Sequence, residues 1–453
     1  MSAPATTARR LLVLDDDPTG SQCVAGLDVS FTTDPAVPAQ VLADPGSACF
    51  VLTNTRALEE ADAIARNREL LAGVLAAGIP ARGLHVVSRS DSTLRGHVLA
   101  EPHAIADELA AHGVEVDAFV FCPAMIEAGR FTEGDVHHAR VGGEVREVAD
   151  TDFARDATFG YTSSDLRDFL AERSGGTLQA TDVLSLSLED IRTGGVPRVT
   201  EILAGARERT WVVVNATEYS DMEVVAEAMA ALEAEGRTFV TRCAPSFVRP
   251  LAGQSGARVV DPASLEIPAD RLGHGLVVVG SHVGLTTQQL RVVQSRGTLV
   301  EVEIHVPTVL GEGRAAHLSE VAEKIRTTLQ TSDCVVYTSR DLVRTDDPAE
   351  SLAIARSVSD AVVEVVQQAR GVKPAWVVAK GGITSHEVAE NGLGIRRARV
   401  EAQFWPGQVS LFSAQEAPDE VLGMPYVVFP GNVGGEEALA DVVDTLAAAV
   451  AAR

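Results

Sequence analysis

Lysine is nearly missing from this chain: only Lys324, Lys373 and Lys380 among 38 basic residues are lysine, and the remainder are arginine. Positive charge is scarce altogether, since 63 acidic residues leave a formal net charge of -25. That balance excludes a nucleic-acid backbone as partner, which needs a basic surface. An anionic small-molecule substrate must then be drawn by a local cluster of cations. Cysteine is equally sparse. Cys23, Cys49, Cys122, Cys243 and Cys334 stand singly, with no C-x-x-C pair and no histidine at ligand spacing. Neither a disulfide framework nor a zinc site is expected, and the thiols read as small core residues in a reducing compartment. No apolar run approaches the ~20 residues of a membrane helix. The N-terminus turns acidic too soon for a secretory signal, so a cytoplasmic protein without membrane partners is expected. The pattern G-x-x-x-x-G-K-[ST] is also missing, and no G-x-G-x-x-G follows the first apolar run, which removes the P-loop and ordinary Rossmann readings.

At 453 residues the chain exceeds the size at which one core usually stops growing. Short β-branched runs alternate with amphipathic segments from end to end: LLVL, CFVL, LHVV, AFVFC and WVVVN, then GLVVVG, CVVY, WVVA and YVVF. Helical periodicity marks 58–77, 221–235, 348–370 and 436–452. This alternation predicts an α/β fold of two domains, each a mostly parallel sheet with flanking helices. The pattern breaks between Pro245 and His274 in a stretch dense in Pro, Gly and polar residues, which divides the chain into 1–255 and 256–453. A second irregular stretch, about 123–159, reads as a hairpin or lid inserted in the first domain.

Ligands of open α/β sheets sit beyond the carboxyl ends of strands, so the residues just after each apolar run are the informative ones. In the first half these are Asp15, Asp16, Asp17, Thr19 and Gly20, then Thr53 to Arg56, then SRSDSTLRGH, residues 88–97. Carboxylates, hydroxyls and the guanidinium groups of Arg56, Arg89 and Arg95 suit a small polyhydroxy acid, with arginine on the carboxylate and aspartates accepting hydroxyl protons. The competing reading makes the aspartates turn and cap residues, with Asp91 and Ser92 capping a helix near Leu94. His137 and His138 lack a third ligand and read as a solvated loop pair. The second half repeats one device three times, a strand followed by glycine and then a helix: Gly280-Ser281 before Thr286 or Thr287, Lys380-Gly381-Gly382 before Thr384 or Ser385, and Gly431-Asn432-Val433-Gly434-Gly435. Glycine lets backbone amides approach phosphate oxygens, so three such junctions point to a nucleotide.

Taken in order, DDxTG, TNTR, SRSDSTLRGH, AGRFTEG, FGYTSSDL, GSH, KGGITS and PGNVGG resemble the four-carbon acid sugar kinases over about residues 11–440. The resemblance implies an N-terminal acid-sugar domain and a C-terminal ATP domain closing around a site in the interdomain cleft. It implies substrate contacts at Asp16, Asp17, Arg56, Ser90, Asp91, Ser92 and Thr93. Nucleotide contacts fall at Ser281, Gly381, Gly382, Ile383, Thr384 and Gly431 to Gly435, with Lys380 and the loop amides neutralising phosphates. Asp91 or Asp16 is expected to accept the proton of the attacking hydroxyl, and magnesium to accompany ATP without assigned protein ligands. Two departures stand out: Asp15 replaces an alanine of many members, so its loss is expected to cost little, and GNVGG replaces a K-S-G-G-F-G type of loop. The rival reading is a phosphatase with Asp15 as covalent nucleophile and Asp17 as acid/base. It lacks a later G-D-x-x-x-D and leaves the second half without a role. A non-catalytic sugar-acid sensor is the third reading.

Overall fold

The computed structural model describes residues 9–340, 343 and 347–452. The chain divides into two compact units, one ending at Gly256 and the other beginning at Ala257.

The N-terminal unit is organised by its first apolar run. β1 (Arg10–Asp15) is buried on both faces and pairs in parallel with β3 (Ala48–Leu52) and β4 (Leu84–Arg89), Val13 standing opposite Phe50 and Val87. Burial on both faces is why these strands read as unbroken apolar runs. With β2 (Asp28–Ser30), β5 (Ala118–Cys122), β9 (Leu184–Leu186), β10 (Thr210–Val214) and β11 (Phe239–Cys243) they make eight parallel strands in the order β2-β3-β1-β4-β11-β5-β10-β9. The chain leaves β1 toward one edge and β4 toward the other, so a crevice opens at the carboxyl ends of this pair. Helices Glu60–Ala76 and Ala100–Ala111 pack Leu70, Leu71, Val74, Ile105 and Leu109 against Leu12, Leu14, Val51 and Val86.

The inserted stretch is a three-stranded antiparallel sheet of β6 (Arg130–Glu133), β7 (Val136–Val141) and β8 (Glu144–Glu147). Its first turn, Gly134-Asp135, has positive φ at both residues (59° and 65°), the geometry of a two-residue hairpin whose twist matches its strands. Asp135 tolerates that conformation because its side chain is held. Its Oδ1 accepts from Ser185 Oγ (2.5 Å) and Asn215 Nδ2 (2.7 Å), which fastens the hairpin to β9 and the end of β10.

In the C-terminal unit, β12 (Leu276–Val279), β13 (Val300–Ile304), β14 (Cys334–Thr338), β15 (Val377–Lys380) and β18 (Pro425–Phe429) run parallel, and β17 (Ser410–Glu416) pairs antiparallel with both β18 and β16 (Arg397–Gln403). The order is β13-β14-β12-β15-β18-β17-β16. Helices Gly284–Arg296 and Ala438–Ala451 bury Leu290, Val293, Leu439, Val443 and Leu446 against Val277, Val378 and Val427. Among the described residues no helix is long and apolar enough to cross a membrane.

Candidate functional site

Beyond β1 and β4 the chain packs arginines against aspartates. Asp15 ends β1 fully buried, and its carboxylate pairs with the buried guanidinium of Arg89, the last residue of β4. Gly20 makes this possible: a Cβ there would lie 2.1 Å from both Arg89 Nε and Asp15 Oδ2. Asp15 thus has a structural task. Arg56 donates from Nη2 and Nε to the two oxygens of Asp16 (2.5 and 3.2 Å) and from Nη1 to Asp17 (3.3 Å). Burial pushes the Asp16 carboxyl up to about 6 against the pull of Arg56. Asp91 goes the other way: burial would raise it, but Arg56 and Arg95 hold it at about 2. Asp17, with 31% of its side chain exposed, Arg56 (20%), Asp91 (12%) and Arg95 (30%) form the face that a ligand can reach.

Beyond the end of β4 at Arg89 the SRSDSTLRGH segment is a loop, and the helix expected near Leu94 begins at Ala100. Leu94 has φ 68° and Gly96 φ 111°. Glycine is required at 96, where a Cβ would stand 3.0 Å from Asp16 Oδ2 and Arg242 Nη2. Ser90, Ser92 and Thr93, expected as substrate contacts, are buried and help build the loop. Ser90 N donates to Cys243 O (2.7 Å), Ser92 O accepts from His137 Nε2 (2.9 Å), and Thr93 Oγ1 donates to Asp91. His137 is therefore no solvated loop residue. It is buried, held neutral by that burial, accepts from Thr132 Oγ1 (2.9 Å) and ties the loop to the inserted sheet.

A buried layer beneath the loops escaped the sequence reading. Arg242 of β11 pairs with Glu101 of helix Ala100–Ala111, and Glu101 also accepts from Ser88 Oγ (3.1 Å) and Thr55 Oγ1. The signal was a charge inside the apolar run FVTRC, where burial demands a partner.

In the C-terminal unit the three glycine junctions meet. Thr286 Oγ1 donates to Gly431 O (2.9 Å) and lies 3.4 Å from Ser281 Oγ. Added Cβ atoms at Gly431 and Gly381 would come within 2.9 Å of Ser281, and one at Gly280 within 2.5 Å of Thr384 Oγ1. Gly381, at φ 121°, lies outside the range of other residues and precedes helix Gly382–Glu387. Thr384 and Ser385 stand inside that helix and Thr286 and Thr287 inside Gly284–Arg296, so none caps its helix as expected. Gln289 Nε2 donates to Val433 O (3.0 Å) and Gly435 O (2.8 Å), bracketing Gly434. Ile383 and Asn432 face solvent.

Lys380, expected to neutralise phosphates, has its ammonium buried against the start of the third glycine loop. It is fully buried, donates from Nζ to Pro430 O (2.5 Å) and sits 3.8 Å from the centre of the Phe429 ring, and burial pulls it down to about 7. Among the described residues a cation at the junction is Arg340, whose Nη2 donates to Ser281 O (2.9 Å) and Thr287 Oγ1 (2.6 Å).

Residues 11–251 match the family described as a sugar-binding N-terminal domain, and residues 276–439 the family described as a nucleotide-binding C-terminal domain. Among solved structures the chain is similar to Haemophilus influenzae protein HI1011, of family DUF1537, with TM-score 0.66 at 18% identity, over 96% of this chain and 98% of that one. It is similar in the same way to a protein of Salmonella typhimurium LT2, with TM-score 0.68 at 17% identity, over 96% and 98%. At such identities these likenesses speak of the fold alone. No protein of curated function was found to resemble it.

Proposed function

The chain belongs to the family that joins a sugar-binding N-terminal domain to a nucleotide-binding C-terminal domain, the four-carbon acid sugar kinase architecture, and from that membership we propose that it transfers a phosphoryl group from ATP to a hydroxyl of a small sugar acid. The sugar acid lies on 1–255 and the nucleotide on 256–453. The observation that carries the reading is the pairing of two kinds of site in one chain. One gathers Asp16, Asp17 and Asp91 with arginines at the carboxyl end of a parallel sheet, and the other brings three glycine junctions together around Ser281. Asp16 or Asp91 accepts the proton of the attacking hydroxyl: the raised pKa of Asp16 suits a base near neutrality but Arg56 holds both its oxygens, whereas Asp91, held ionised by Arg56 and Arg95, stands on the face a ligand reaches. Loop amides around Gly381, Gly382 and Gly431 to Gly435 cradle the phosphates, Ile383, Thr384, Asn432 and Val433 flank them, and Arg340 takes the neutralising role expected of Lys380. Among the described residues no three histidine, cysteine or acidic side chains gather as metal ligands. Magnesium, when it accompanies the nucleotide, would supply charge neutralisation at the phosphates. Five separate buried thiols suit a reducing, cytoplasmic setting.

The phosphatase reading needs Asp15 accessible for in-line attack, and Asp15 is buried and spent on Arg89. The test is ATP consumption against a panel of aldonic, tetronic and oxo-tetronic acids, beside phosphate release from a generic phosphomonoester. Acid-dependent ADP formation is expected. Phosphomonoester hydrolysis with no acid-dependent ATP turnover would overturn the proposal.

A further inference from the structure

Four of the guanidinium groups around the acidic loops already hold carboxylates. Arg56 pairs with Asp16 and Asp17, Arg89 with Asp15, Arg242 with Glu101, and Arg95 with Asp91. Among the described residues Arg130 forms an ion pair with none. It opens β6, where its backbone exchanges hydrogen bonds with Met125 (3.0 and 2.9 Å). Its side chain is half-buried, and Nε is shut off from solvent without a hydrogen-bond partner. The guanidinium rests on the ring of Phe153, 5.7 Å from its centre, and Arg95 rests on the same ring at 5.6 Å. Arg95 in turn donates from Nε to Asp91 (2.7 Å). An unpaired cation and a paired one thus share one aromatic platform beside a carboxylate of the proposed site. Burial lowers the pKa of Arg130, and the Asp91 carboxylate offsets that only in part. A chain with 63 acidic residues had ample means to supply a carboxylate in direct contact, and among the described residues none pairs with it. The Arg56 fork, which the sequence suggested for the substrate's carboxylate, is taken up by Asp16.

We infer that Arg130 is the anchor for the carboxylate of the sugar acid, which completes the ion pair that the protein leaves open. The inference rests on the sugar-acid reading and deepens it by orienting the substrate. The carboxylate lies at the inserted sheet against Arg130, and the hydroxyl carbons run from there toward Asp91 and Asp16. Acids are then selected over the matching alditols by this one contact, since a planar fork binds a carboxylate through two parallel hydrogen bonds and has no equivalent partner on a hydroxymethyl group.

The experiment compares the parent with Arg130→Gln and Arg130→Lys, using threonate and erythronate as probes, threitol and erythritol as uncharged counterparts, and whichever panel acid drives most ATP consumption. Losing a charge-assisted contact should weaken acid binding about 10- to 150-fold in Arg130→Gln. Arg130→Lys should recover part of the loss, and alditol and ATP binding should not move. The same variants report on fold. Removing an unbalanced cation should leave the Tm of the ligand-free protein unchanged or higher, while the Tm rise on adding threonate disappears. Parental acid affinity in a folded Arg130→Gln protein overturns the inference, as does a Tm drop of many degrees in both variants, which would make Arg130 a structural residue. A parent that binds and phosphorylates no acid of the panel overturns the kinase reading itself, and this inference with it.

Discussion

Asp15→Asn separates the two readings of the DDDPTG segment, because each assigns the residue a different kind of work. The carboxylate is fully buried, pairs with an Arg89 side chain that is 4% exposed, and accepts from Asp17 N (3.2 Å). Asparagine preserves the shape and the hydrogen bond from Asp17 but takes away the nearest charge that balances the Arg89 guanidinium, leaving Asp16 at 3.7 Å. Breaking a buried pair by removing one partner costs about 3–5 kcal/mol, and because the amide oxygen still accepts hydrogen bonds the lower end applies. About 3 kcal/mol in a unit of this size corresponds to a Tm drop of about 6–12 °C. Calorimetry should show the drop in the N-terminal unit's transition, with kcat per folded molecule reduced modestly through a displaced first loop. The double variant Asp15→Asn/Arg89→Gln sharpens the test. Removing both charges relieves the uncompensated one, so its destabilisation should fall short of the sum of the single variants. Additive costs would show that the pair does not couple. An Asp15→Asn protein with the parental Tm and no activity would refute the structural role and restore the residue to the chemistry.

Three further outcomes follow from the same structure. With Asp16 as base and its pKa near 6, kcat/KM should fall on the acid side with a midpoint near 6, and Asp16→Asn should lose orders of magnitude in kcat; an acid limb near 4 would point to a different base. Lys380, lowered to about 7 by burial, binds fewer protons folded than unfolded between that value and the ordinary lysine pKa of ~10.4, so stability should rise with pH across that window. Urea titrations at several pH values should show the rise in the parent and a flattened profile in Lys380→Met; equal slopes would place the titration elsewhere. Gly381→Ala must adopt φ 121° and press a methyl group to 2.9 Å from Ser281 Cβ, a strain on the order of 1–2 kcal/mol that should weaken ATP binding about tenfold in calorimetry while leaving acid binding intact.

The parts of the fold that could be read from the sequence are those buried on both faces. LLVL, CFVL, LHVV and AFVFC became β1, β3, β4 and β5, and GLVVVG, CVVY, WVVA and YVVF became β12, β14, β15 and β18. The strands that went unread alternate or carry charge. VEVEI forms the exposed edge strand β13, RARVEAQ and SLFSAQE form the antiparallel pair β16 and β17, and FVTRC hides Arg242 within β11. Helix ends shifted by one or two residues, from 58–77 to Glu60–Ala76 and from 436–452 to Ala438–Ala451. At the candidate site the loops were legible because strand ends and glycines mark them. The division of labour within them was not. Which arginine is satisfied, and which serine props up the loop, depends on partners brought from distant sequence, such as His137 for Ser92 and Glu101 for Arg242.

The five solitary cysteines have a practical use. All are free and buried, four of them (Cys23, Cys49, Cys122, Cys243) in the N-terminal unit and Cys334 in the C-terminal unit. Burial raises Cys122 and Cys334 to about 12, so little thiolate is present at neutral pH and an alkylating reagent should leave the native protein unmarked. Each thiol reacts only when its surroundings open, at a rate set by the free energy of that opening. Counting adducts by mass after a timed pulse therefore distinguishes the two units without introducing a label. A single adduct arriving ahead of the others reports the unit carrying Cys334, and a group of four reports the other. Repeating the pulse with ATP, and then with a sugar acid, would show which half of the chain each ligand holds shut.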